Sequence, residues 1–66
     1  MKQQLLQKAI DTAHPEVKAG KFNIEFAIMM MNCGRFEEAD KSIKQGMDAL
    51  VIAIEILGEY AKEEAT

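Results

Sequence analysis

Sixty-six residues, an apolar share of 48% and a net charge of −3 set narrow limits on this chain. A chain this short buries only ~60% of its unfolded surface, so it forms one domain with a marginal core. The apolar share argues against intrinsic disorder, the absence of any Lys or Arg run disfavours nucleic-acid binding through clustered cations, and a lone cysteine excludes an internal disulfide.

Domains of this size usually need a staple: disulfides, a metal or a partner subunit. With one cysteine and few metal ligands, association is the expected one. The opening MKQQLLQKAI has no long apolar run and is not expected to be an export signal. The longest strongly apolar run, Ala49 to Ile54, is far shorter than the ~20 residues that span a bilayer. A single reduced cysteine with no export signal points to the cytoplasm.

The pattern predicts an all-α, three-segment bundle in one domain, 1–66. In the first segment, 2–13, Leu5, Leu6, Ala9, Ile10 and Ala13 form one apolar stripe of an amphipathic helix. His14-Pro15 should end it, because proline disfavours the α conformation in the residue before it. Gly20 then reads as a turn or a C-cap.

The second segment, 23–33, opens on Asn23 as an N-cap. Glu25 is its only charge, and a helix apolar nearly all round is expected to be buried on several sides. Asn32-Cys33-Gly34 should end it, with Gly34 in the left-handed conformation.

The third segment, 35–63, carries Glu37 and Glu38 in its first turn, where the helix dipole favours negative charge. It would be roughly 40 Å long at 1.5 Å per residue, more than twice the second. A heptad begun at Phe36 places Phe36, Ile43, Leu50 and Leu57 at a, and Ala39, Gly46, Ala53 and Tyr60 at d. Small residues at d let a neighbouring helix come close, which accounts for a glycine inside a helix at ~1 kcal/mol relative to alanine. Position f is Lys41, Asp48, Glu55 and Lys62, a solvent stripe.

From 47 to 57 the flanks of that seam turn apolar: Met47, Ala49, Val51, Ile52, Ile54 and Ile56. A short second segment cannot reach them, and the first is too narrow to cover them all. Met47, Leu50, Val51, Ile52, Ile54, Ile56, Leu57 and Tyr60 are therefore the expected interface of a homodimer built through the third helix.

The turn region also carries a packing pattern. Phe26-Ala27 is a large–small pair, followed three residues later by Met30; Gly34 and Phe36 mark the turn; Ala39 with Ile43, then Gly46, follow it. Over residues 23–46 this set resembles a single tetratricopeptide repeat. The pattern departs from that repeat at Asn23, where Trp is common, and at Val51, where Pro usually ends it. The resemblance implies a helical hairpin with a protein-binding, adaptor or chaperone role, and no catalytic residue.

Candidate chemistry is sparse. A nucleophilic Cys33 would need a base or a positive environment, yet the only histidine, His14, is expected ~15 Å or more away along the second segment. Cys33 is therefore expected to be a small buried residue near the turn. Met29, Met30 and Met31 cannot share one side, because successive residues rotate by ~100° on a helix. Met30 with Cys33 offers at most two soft ligands, and methionine serves more simply as adaptable filler or binding surface. The acidic residues Glu37, Glu38, Asp40, Asp48, Glu55, Glu59, Glu63 and Glu64 lack the Glu-x-x-His partner of carboxylate-bridged metal sites. No phosphate loop or Ser-His-Asp order is present.

We therefore expect no enzyme, no cofactor and no metal. The expected function is a small cytoplasmic protein-interaction module, an adaptor, chaperone-like factor or inhibitor, acting as a homo-oligomer on an unidentified protein partner. It would engage no membrane. The alternatives are a structural self-assembling subunit of a larger complex and a small helical-bundle nucleic-acid-binding regulator.

Overall fold

The computed structural model of the chain describes the backbone of residues 2–65 and the side chains of residues 4–63. Two helices make up the fold: α1, Lys2–Asn32, and α2, Phe36–Ala65. They pack antiparallel along their whole length as a hairpin.

The expected three-segment bundle is thus corrected to two helices. Segments 2–13 and 23–33 are one helix of 31 residues that passes through Pro15 and Gly20 without a break. Pro15 leaves the Asp11 carbonyl without its usual helical donor, a local cost of ~3 kcal/mol. Asn23 is no cap: its Nδ2 donates back to the Ala19 carbonyl at 2.9 Å, in mid-helix.

What overrides the local stop signals is a seam that continues past them. Ala13, Gly20 and Ala27 recur every seven residues on α1 and are all buried. On α2, Ala39, Gly46 and Ala53 recur in the same way and are buried opposite them. Breaking α1 at His14 would part Ala13 from Gly20 and Ala27 and interrupt this seam.

The seam is built from small residues. Its second column on α2 is Ser42 and Ala49, both buried, then Ile56. Met30 is the only buried side chain larger than alanine or serine among the described residues. The heptad predicted Phe36, Ile43, Leu50 and Leu57 in that column; they lie beside it instead. The reason is the distance between the backbones. A β-carbon at Gly46 would sit 3.1 Å from the Gly20 carbonyl oxygen, 3.2 Å from Ile24 Cγ1 and 3.3 Å from Asn23 Cβ. Helices this close admit alanine-sized columns between them and push larger side chains to the edge.

The bend follows from glycine. Gly34 has φ 74°, a left-handed conformation that other residues adopt only with strain. The Arg35 N–H donates to the Met30 carbonyl at 2.8 Å and the Gly34 N–H to the Met31 carbonyl at 3.0 Å. That pair of bonds closes the end of α1 as a Schellman motif. Arg35 then accepts the first bond of α2 from the Ala39 N–H and forms an ion pair with Glu38.

The earlier length mismatch also disappears, since α1 and α2 have 31 and 30 residues. The hairpin measures 49 × 15 × 12 Å, with a radius of gyration of 15.0 Å. A compact 66-residue domain would have a radius near ~11 Å. The accessible surface is 5329 Å²; a globular monomer of this mass would expose about 4,200 Å².

Candidate functional site: an apolar ladder along one face

The large apolar residues displaced from the seam are not scattered. Gly46 closes on Ile24, and a β-carbon at Gly20 would meet Leu50 Cγ and Cδ2 at 2.8 Å. Ile24 and Leu50 therefore flank the glycine crossing on one side. In an antiparallel pair, seven residues forward on one helix is level with seven back on the other. Ile24 repeats as Ile10, Val17 and Met31; Leu50 repeats as Phe36, Ile43 and Leu57.

These eight residues form four rungs: Ile10 with Leu57, Val17 with Leu50, Ile24 with Ile43, and Met31 with Phe36. The rungs are ~10 Å apart, seven residues at 1.5 Å each. None of the eight carries a charge. Ile24 and Leu50 are half-buried, and the other six are between 37% and 68% exposed. One position further round the helices, exposed Ile28, Met47 and Ile54 widen the ladder in columns they share with His14, Lys21 and Asp40.

The opposite face of the hairpin has a different character. Thr12, Glu38, Gln45 and Glu59 interrupt Leu5, Phe26 and Ile52 there. Near the chain ends it forms an open groove lined by Leu5, Lys8, Thr12, Ile56, Glu59, Tyr60 and Glu63. Its mixed lining gives it no single chemistry.

Ion pairs lie outside the four rungs. Lys44 Nζ is 2.8 Å from Asp40 and Lys41 Nζ is 3.9 Å from Glu37, all on the exposed surface of α2. The hydrogen bond to the Asp40 carboxylate, with its negative charge, holds Lys44 above the ordinary lysine value of 10.5. Any stability linked to that shift is present below the ordinary value and lost as pH rises through the higher folded one. Exposed pairs of this kind contribute little. They keep the first half of α2 polar on its outer side while the ladder runs beside them.

The interface residues expected from sequence are spread over four parts of the hairpin. Leu50 and Leu57 are ladder rungs, with Met47 and Ile54 next to them. Val51 points outward, Ile52 lies on the opposite face, and Ile56 and Tyr60 are half-buried at the seam. Of the residues expected to pack the hairpin, Ala27, Met30, Ala39 and Gly46 are in the seam and Gly34 makes the bend. Phe36 and Ile43 stand in the ladder, and Phe26 at the far edge. The α1 side of the ladder (Ile10, Val17, Ile24, Met31) was absent from the sequence expectation. Its seven-residue spacing, read straight through Pro15, is the signal that would have found it.

Cys33 is exposed at the bend rather than buried. His14 is nineteen residues back along α1 from the bend, ~28 Å at 1.5 Å per residue. Among the described residues no three His, Cys, Asp or Glu side chains converge on a metal-sized site. No helix of the described residues is long and apolar enough to cross a membrane. Compared with known protein families, with curated proteins and with solved structures, the chain has no significant match to any of them.

Proposed function

We propose that this protein is a small interaction module that works by covering its ladder, and that a second copy of the same chain covers it. Its role is binding rather than catalysis, and the cytoplasm is its place of action. The observation that carries this reading is the inversion of residue size: alanine and glycine fill the seam, while Ile, Leu, Met and Phe line the exposed face.

The sizes involved favour a second copy. The chain exposes about 1,100 Å² more than a globular monomer of its mass, and a standard interface removes roughly 800 Å² from each partner. Four successive rungs without a charge form a contiguous apolar row of the kind that marks an interaction surface. A hairpin whose core is alanine needs its cover in order to fold, and a second copy is present whenever the first is. Two hairpins stacked through the ladder make a four-helix bundle with large side chains at its centre. The likeness of residues 23–46 to a tetratricopeptide hairpin agrees with a protein-binding role.

Sedimentation equilibrium at micromolar concentration tests this. The expected species has twice the 7.4 kDa chain mass, and Ile54→Glu is expected to shift it toward monomer and to lower its helix content with the loss of association. A monomer of 7.4 kDa that melts cooperatively would overturn the proposal.

A further inference from the structure

We infer that the two copies stack with their bends at the same end of the bundle, each α1 lying over the partner's α2. This rests on the self-association proposed above and adds its geometry, which two independent features select.

The first is where the ladder sits. It is not centred on the hairpin: its rungs begin at Met31 and Phe36, next to the bend, and end at Ile10 and Leu57. One further heptad step toward the chain ends gives Gln3 and Glu64 in the sequence, both polar. Two antiparallel stackings overlap fully. With bends at the same end, every rung meets its own copy and all four are covered. With bends at opposite ends, each helix lies over its own copy, and the Met31–Phe36 rung falls beyond the partner's last rung, Ile10 with Leu57. Phe36, at 68% exposure, then meets no rung of the partner.

The second is the charge along the rim. With bends at opposite ends, Lys18 faces the partner's Lys18, and Asp11 faces the partner's Glu25. Both are like-charge contacts. With bends at the same end, Glu25 faces the partner's Lys44, and Lys18 faces the apolar Val51 of the partner subunit, which its own methylene stem can cover. Like charges set opposite each other suppress one register and opposite charges select another.

The native cysteine reads this out without any substitution, because Cys33 is exposed at the bend and off the ladder. Spin labels on Cys33 of the full chain, measured by pulsed dipolar spectroscopy, give one distance per dimer. Bends at the same end place the labels within about three helix spacings of ~10 Å, so a distance below about 30 Å is expected. A distance approaching the 49 Å length of the hairpin would overturn this arrangement and leave the ladder as the interface. The absence of any dipolar signal, from a species of 7.4 kDa, would overturn both this inference and the self-association beneath it.

Discussion

The seam between α1 and α2 and the ladder beside it are built on the same seven-residue repeat, yet they divide the side chains by size in the reverse of the usual order. The seam holds Ala13, Gly20, Ala27, Ala39, Gly46 and Ala53, all buried. The ladder holds Ile, Leu, Val, Met and Phe, most of them exposed. Folding free energy from burial scales with apolar area, and alanines have little of it. The seam brings the backbones together and fixes their register; the ladder carries the area that would make the structure stable. A protomer arranged this way is a half-built core.

Substitutions can break or sharpen that contrast. The largest effect is expected in the ladder. Ile43→Glu would place an unpaired carboxylate at the centre of the stacked face, and a loss of ~3 kcal/mol or more weakens association more than 100-fold. Analytical ultracentrifugation of the variant checks it, and an unchanged dimer constant would remove Ile43 from the interface. The seam comes next. Gly46→Ala adds one carbon 3.1 Å from the Gly20 carbonyl oxygen, and overpacking there is expected to cost ~1–3 kcal/mol. Its readout is a lower midpoint in denaturant at unchanged slope. Gly34→Ala forces a left-handed alanine at the bend, at roughly 1–2 kcal/mol, seen in the same titration.

The smallest effect has the opposite sign and serves as the control. Gly58 lies on the exposed side of α2, and a β-carbon there meets nothing within 4 Å. Gly58→Ala should raise stability by up to ~1 kcal/mol through helix propensity alone. Two glycines on one helix, twelve residues apart, are thus expected to answer the same change in opposite directions. If both stabilise, the seam is looser than the Gly20–Gly46 approach implies.

Parts of this architecture were legible in the sequence. Asn32-Cys33-Gly34 marked the bend because a left-handed residue closing a helix is a local requirement that glycine meets. The span of α2 and the small column Ala39, Gly46 and Ala53 followed from periodicity in the same way. The continuity of α1 did not. His14-Pro15, Gly20 and Asn23 are each a stop, turn or cap by local chemistry, and what overrides them is contact with a helix more than twenty residues away. The rotation of α2 was hidden for a related reason. A heptad shows which residues are apolar but not which of two adjacent apolar columns faces the partner. Gly20 opposite Gly46 decides it, by drawing the backbones too close for Ile43 or Leu57 to fit between them. The expected interface therefore named Leu50 and Leu57 of the ladder, gave Phe36 and Ile43 to the hairpin packing, and missed the α1 half.

The central claim is that the hairpin depends on having its ladder covered. Thermal melting followed by circular dichroism over about a hundredfold range of protein concentration tests this most directly, because association ties the melting temperature to concentration. The account predicts a midpoint that climbs steadily with concentration, with loss of helix and loss of dimer coinciding. A midpoint independent of concentration, with the 7.4 kDa monomer still helical at the lowest one, would contradict it.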